Sequence, residues 1–460
     1  MSLSNLVLTA SLVVAFPAIF MIGVINPRSG LGVLLFFLPA LNLSYRLFSV
    51  QPFPSLETIA VIVLWIGTLF HKSPSNRKAG NPSFNILAGI TILIFLVTAF
   101  ISSMLSKNAI DSELALKIWL TGALIPLLCF FIATRYITSW NDAKWLLYGF
   151  VGLLVQTAIF TLLAFDRRQG FMMPMDELAS YLYQQSNAVV IFGNPSATIS
   201  VIIMGIPLAA WYRSFGKWRP NLTAISVFTM VWAVAILSLS RGSWLGAIVA
   251  TIASVPFLRK RMEFRAVIIL VGLATVIYFI GGFDLITSFF NYRFSYTTTF
   301  LTAQTRLVNY QLSLQSAVNH LFLGVGLGNY AEIYREFPFS PASFSTHLWF
   351  AHSLFLTLIP EIGLIGAISF LSFFVLSIRR VLQQAKKLQD INRWFVYAVL
   401  VGVVSYLVIA STSGTHLIAT LGDYLRSPAL IVVYSFLGAV INYTDGVDSL
   451  DKNITIYVWH

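Results

Sequence analysis

The sequence predicts an all-α polytopic membrane protein with about twelve or thirteen transmembrane helices. Three observations predict it. Hydrophobic residues make up 57% of the 460 and charged residues only 10%, against roughly 25% charged in soluble domains. Mean hydropathy is +0.81. Apolar runs of about 16 to 25 residues recur along the chain, each long enough, or nearly so, to cross a ~30 Å hydrocarbon core as a helix. None shows the alternation of polar and apolar residues that a membrane β-barrel strand needs.

In order, the predicted spans are 6–24, 31–49, 56–70, 85–105, 118–136, 145–165, 196–212, 222–239, 243–258, 266–283, 353–378, 394–413 and 427–442. The first has neither a charged leader before Leu6 nor a small-residue cleavage site after it, so it reads as a retained segment. Span 56–70 is short and 31–49 carries Arg46 near its end, so twelve and thirteen crossings both fit. The spans divide the chain into an N-terminal membrane region (1–190), a second region (191–442) containing a long loop (284–352), and a polar tail (443–460).

The net charge of +12 alone would allow a nucleic-acid partner, but in a membrane protein the placement of the cations carries the meaning, and no nucleic acid is expected. Lys72, Arg77 and Lys78 lie in loop 71–81, and Arg213, Lys217 and Arg219 in 213–219. Four more cations lie in 259–265 and five in 379–393. With these spans all four loops fall on one side, which the positive-inside rule makes cytoplasmic, together with the C-terminus. The outer side then holds the long loops 166–195 and 284–352. The lone Cys129 lies within an apolar run, so neither an intramolecular disulfide nor a cysteine metal cluster can form.

Loop 284–352 is rich in aromatic and hydroxyl residues. Within it, Leu307, Tyr310, Leu314 and Val318 recur at helical spacing, predicting a helix over 304–318 and an ordered cap at the outer leaflet. Arg306 lies on that helix. Arg241, in the SRG turn between spans 222–239 and 243–258, is the lone charge of its turn. It is open to two readings, snorkelling to headgroups or binding an anion beside backbone N–H groups. Two converging guanidinium forks would suit a phosphate or pyrophosphate. Arg293 and Arg335 are weaker members of the same set.

His352 opens the late helix, followed by Ser353. It suits a capping role, or, with a reference pKa of ~6.5, the acceptance of a proton from a hydroxyl. His347 is a secondary candidate. The spacing of His320, His347 and His352 matches no tight metal motif, so no metal is expected, and no other cofactor is implied. Glu361 follows Pro360 in the middle of the same helix, about 13 Å deeper than His352 by helical rise and about half a turn around the axis. A charge at that depth costs about 3 kcal/mol or more unless paired or hydrated, so Glu361 must face protein or a polar cavity. With Pro360 as a kink and Gly363 and Gly366 as a small face for helix contact, it is assigned to architecture. GVGLGNY (324–330) has neither the strand nor the Lys-Ser/Thr of a nucleotide loop and reads as a turn.

The order of these motifs resembles the O-antigen ligase and polymerase superfamily over about residues 190–370. The carriers are GNP (193–195), SRG (240–242), T-R (305–306), G-x-G-x-G-N (324–329) and H-S-x-F-L-x-x-x-x-E-x-G-x-x-G (352–366). One departure is visible: where members usually carry proline before the glycine turn, this chain reads NHLFLGVG. The resemblance implies a C-type membrane glycosyltransferase fold in the bacterial inner membrane, with the site facing outward. It implies a polyprenyl-pyrophosphate-linked glycan as donor and a glycan or lipid as acceptor. Carried over by position, Arg241 and Arg306 would hold the pyrophosphate and His352 would act on the acceptor hydroxyl, without metal. Two other classes stand beside it: a transporter of small anions such as bicarbonate, which predicts discontinuous helices around a midplane site, and an envelope scaffold indifferent to loss of Arg241 or His352.

Overall fold

The computed structural model describes residues 3–43, 55–71, 82–105, 116, 118–164, 195–215, 218–237, 241–258, 296–330, 333, 353–413 and 428–444. Among these residues every regular element is helical. The elements are α1 (Leu3–Ile25), α2 (Pro27–Leu43), α3 (Leu56–Phe70), α4 (Pro82–Leu105), α5 (Ile125–Tyr136), α6 (Trp140–Ala164) and α7 (Pro195–Ile202). They continue as α8 (Gly205–Phe215), α9 (Trp218–Leu237), α10 (Arg241–Leu258), α11 (Tyr296–Asn319), α12 (Leu354–Ala385), α13 (Asp390–Ser413) and α14 (Pro428–Ile441). Where its residues are described, each predicted span coincides with helix; 266–283, 44–49, 165, 238–239 and 427 lie outside the described residues. Five stretches, in α4, α5 with its preceding turn, α6, α12 and α13, are long and apolar enough to cross a membrane unaided.

Three predicted spans are interrupted, the third at Gly363 within α12. Span 196–212 is two helices, α7 and α8, separated at Ile203 and Met204, both buried among apolar neighbours. Before α5, Trp119–Leu124 winds as a π-helix: Ile125 N–H reaches back to Leu120 O, one residue ahead of Pro126, which has no N–H to give.

Glycine sets the closest helix contacts. α2 lies along α6, and a Cβ on Gly149 would fall on the backbone carbonyl of Gly32, so the two backbones touch there. Aromatic side chains fill the middle of the bundle. Phe370 meets Phe95 of α4, Phe373 lies edge-on to Phe130 of α5, and Tyr434 of α14 stacks on Phe373 with centroids 6.0 Å apart.

Polar contacts gather at one end of the bundle. Arg28 pairs with Asp142, whose Oδ2 also accepts from Thr138 N, Thr138 Oγ1 and Ser139 Oγ. Trp211 Nε1 donates to Ile391 O at 3.0 Å, and Tyr443 Oη to Asn392 Oδ1 at 3.2 Å. Thr444 N donates to Thr138 O at 2.8 Å. The ends of α8 and α14 thus meet the start of α13, and α14 also meets the α5–α6 connection, which places Arg213 and the cations of 379–393 at a common end.

Candidate functional site

The opposite end is built around α11, the glycine turn and the first part of α12. α11 confirms the predicted helix but faces the other way from a core-seeking amphipathic helix. Leu307, Leu314 and Val318 are exposed, at 61%, 58% and 76%, whereas Asn309, Ser313 and Ser316 are buried. Arg306 precedes Asn309 by three and Ser313 by seven residues and so shares the buried polar face. Its Nε is sealed from solvent and has no hydrogen-bond partner among the described residues.

The polar face is closed by Tyr330, fully buried, whose hydroxyl meets Ser313 Oγ and donates to Asn309 O at 3.1 Å. Around this contact Leu312, Val325, Tyr330 and Ile333 form a small core separate from that of the main bundle, with Val308 and Leu356 against it. One end of α11, the turn and the start of α12 are therefore a single packed unit.

The centre of that unit is a broken helix. Gly363, inside α12, has φ 68° and ψ 177°, outside the helical region and open at low cost to glycine alone. In an unbroken helix Leu364 N–H would bond to Pro360 O. Here Leu364 N donates instead to Leu321 O at 2.7 Å, while Pro360 O accepts from Val325 N at 2.7 Å and Glu361 O from Gly326 N at 2.9 Å. The turn completes the ladder that the helix abandons. Ser102 of α4 adds a hydroxyl between the carbonyls of Leu323 and Glu361, at 2.8 Å from the latter.

The turn itself takes positive φ at Gly324 (69°), Gly326 (107°) and Gly328 (82°). The N–H groups of Val325 and Gly326 donate to Pro360 O and Glu361 O, and those of Gly328 and Tyr330 are left to receive an oxygen anion or carbonyl. The occupant is the chain's own Glu361, which is 2% exposed and takes backbone hydrogen bonds from Gly328 and Tyr330. Its Oε1 has no partner among the described residues. Contact is close throughout: a Cβ on Gly324 would sit 2.6 Å from Pro360 O, and one on Gly363 would fall on Phe322 O.

These facts revise two sequence readings. Gly363 is not a small face toward a neighbouring helix; it is the break itself, and the segment against it is the turn. Gly366 clears the Ile362 side chain, 3.0 Å from where a Cβ would stand, in its own helix. Glu361 and Pro360 are held in a protein junction rather than at a helix–helix contact. Sequence reasoning also passed over Ser102, Asn309, Ser313 and Tyr330. Ser102 and Ser103, the one pair of adjacent polar residues in span 85–105, were the available signal.

Of the other predicted site residues, Arg241 opens α10, whose first turn is tied to α9 by Trp244 Nε1 donating to Ala235 O at 2.9 Å. His352 directly precedes Ser353, the extended residue at the N-cap position of α12, and Ser353 O accepts from Thr357 N and Thr357 Oγ1. His352, Arg293, Arg335 and His347 lie outside the described residues, as does the side chain of Arg241. Among the described residues no group of three His, Cys, Asp or Glu is placed to hold a metal.

Fold and site together define a multi-pass helical membrane protein with a polar junction at one end of its bundle. Residues 225–371, a stretch running from α9 into α12, match the family model for O-antigen ligase. No curated protein matches the sequence.

Proposed function

We propose that the protein transfers a glycan from a polyprenyl-pyrophosphate carrier to an acceptor hydroxyl at the outer face of the bacterial inner membrane, by ligation onto a lipid or by polymerisation. The observation that carries this reading is the family match over 225–371, which spans Arg241, Arg306 and His352 in order. Arg306 adds a physical reason: its sealed Nε, without a partner among the described residues, is a donor that a phosphoryl oxygen would satisfy strongly.

In this mechanism the acceptor oxygen attacks the anomeric carbon from the face opposite the pyrophosphate. The bond from that carbon to the leaving oxygen breaks, and its electron pair departs with the pyrophosphate. Arg241 and Arg306 stabilise the negative charge that develops on the leaving group, without a metal ion. His352 takes the proton from the acceptor hydroxyl. Inversion at the anomeric carbon follows from the single displacement.

The anion-transporter reading draws on the helix breaks at Gly363 and at Ile203–Met204, but neither opens a polar site among the described residues. The break at Gly363 is filled by the glycine turn, and the one at Ile203–Met204 by apolar side chains. The test is direct. Purified protein is incubated with a polyprenyl-pyrophosphate oligosaccharide and candidate acceptors in the absence of divalent metal, and released polyprenyl pyrophosphate is measured. Release is expected, with Arg306→Ala and His352→Ala each lowering the rate by about 10²-fold or more. Absence of turnover with every acceptor overturns the proposal, and full transfer by both variants overturns the site.

A further inference from the structure

The geometry points to a clamp: the glycine turn 324–330, seated on the break in α12 and fastened by Glu361, Gly363 and Ser102, sets the position of Arg306 relative to the N-terminal turn of α12. Glu361 and Ser102 are therefore positioning residues for the transfer reaction. This inference rests on the proposed function for its catalytic consequence, but the clamp itself does not.

The argument begins with what the break does to α12. Gly363 cuts off residues 354–362, a piece of nine residues and about 13 Å. Left alone, such a piece is too short to hold its own direction. It carries Ser353 at its start, with His352 immediately before. α11, with Arg306, reaches α12 through the turn that follows it. Two mobile units bearing the two halves of a reaction would fail to hold them in register, and a ~1 Å misplacement of reacting groups costs about 10²-fold in rate.

The clamp removes that freedom by three independent connections. Backbone hydrogen bonds join Leu321 to Leu364, Val325 to Pro360 and Gly326 to Glu361. The Glu361 carboxyl group takes the N–H groups of Gly328 and Tyr330, so the turn is held by a side chain as well. Ser102 then binds the joint to α4, a long helix of the main bundle. A turn that only connected α11 onward would need neither a buried acid nor a helix broken to receive it. A carboxyl group this deeply buried is costly, and retaining it suits a place where geometry matters more than stability.

The test separates position from stability and from activity. Spin labels are placed at Leu314→Cys on α11 and Phe355→Cys on the short piece of α12, both exposed, with buried Cys129 replaced by alanine. The protein, in lipid nanodiscs, should give one narrow distance. Glu361→Ala should add a second, longer distance, while Glu361→Gln, which keeps an acceptor oxygen for the Gly328 and Tyr330 N–H groups, should restore the single one. In the transfer assay kcat should fall about ten- to a hundredfold in Glu361→Ala, with donor KM nearly unchanged, and recover in Glu361→Gln. An unchanged narrow distance in Glu361→Ala overturns the clamp. A changed distance with unchanged kcat overturns its role in the reaction. If the unmodified protein transfers no glycan, the proposed function falls and the distances still decide the clamp. Should Glu361→Ala not fold, Ser102→Ala, which removes the tie to α4, is read by the same two measurements.

Discussion

Two places in this molecule bring backbones into contact through glycine, and they do so by different physics. Where α2 crosses α6, Gly32 and Gly149 let two straight, intact helices touch, and what holds them is close packing, with no directed bond required at the crossing. Where the glycine turn meets α12, Gly363 breaks the helix and three hydrogen bonds cross the gap. Packing specifies a distance between helices, whereas exchanged hydrogen bonds specify which atom faces which. The second device joins the helix that carries Arg306 to the helix that follows His352, where atomic register would serve chemistry; the first lies among apolar side chains.

The comparison breaks most severely at the first contact. In Gly149→Val the new side chain would fall on the Gly32 carbonyl, and because that obstacle is backbone in a packed bundle, neither helix can yield locally. Overpacking of this kind costs about 3 kcal/mol or more. The expected outcome is loss of the monodisperse protein on size exclusion, or a large fall in its thermal unfolding temperature in detergent. An unchanged unfolding temperature would show that the crossing is looser than its geometry.

A methyl at the second contact should do less to the fold and more to the site. Gly363→Ala forces an L side chain into a left-handed φ, costing about 1–2 kcal/mol, and pushes against Phe322 O. Of the turn, Val325 and Tyr330 pack in the small core and Leu327 in the main one, so a retreat from α12 strains the seat of Leu327 rather than a crossing of two bundle helices. The expected result is modestly lowered thermal stability with markedly faster amide hydrogen exchange at residues 321–330. Global unfolding equal to that of Gly149→Val would erase the distinction between the two contacts.

The same contrast explains what could be seen in the sequence. Span positions were legible because length and hydropathy suffice to place a membrane helix, and 56–70 coincides with α3 residue for residue. The face of α11 was not legible. In water an apolar stripe marks the side that packs, but in a chain surrounded by lipid the exterior is apolar too, so Leu307, Leu314 and Val318 carry no sign. The glycine turn was legible as a turn, from its spacing. Its partner was not, because Glu361 and the N–H groups of Gly328 and Tyr330 meet only through the packing of α11 on α12. Gly363 was misread for a related reason: the pattern of small residues that suits helix contact also suits a helix break, and only a segment from elsewhere decides between them.

The mildest probe of the second contact is Tyr330→Phe. The hydroxyl it deletes lies against Ser313 Oγ and donates to Asn309 O, but Ser313 Oγ has its own bond to Asn309 O at 2.7 Å. Neither remaining group is orphaned, and the ring that fills the small core stays. The loss should therefore be that of one ordinary hydrogen bond, about 1 kcal/mol, rather than the larger penalty of a buried unpaired group. It should appear as slightly faster exchange near residue 330, with the thermal transition almost unmoved. A loss as large as that of Gly363→Ala would mean that the turn is held to α11 through this hydroxyl more than to α12 through its backbone, and the order of importance argued for the two sides of the clamp would have to be reversed.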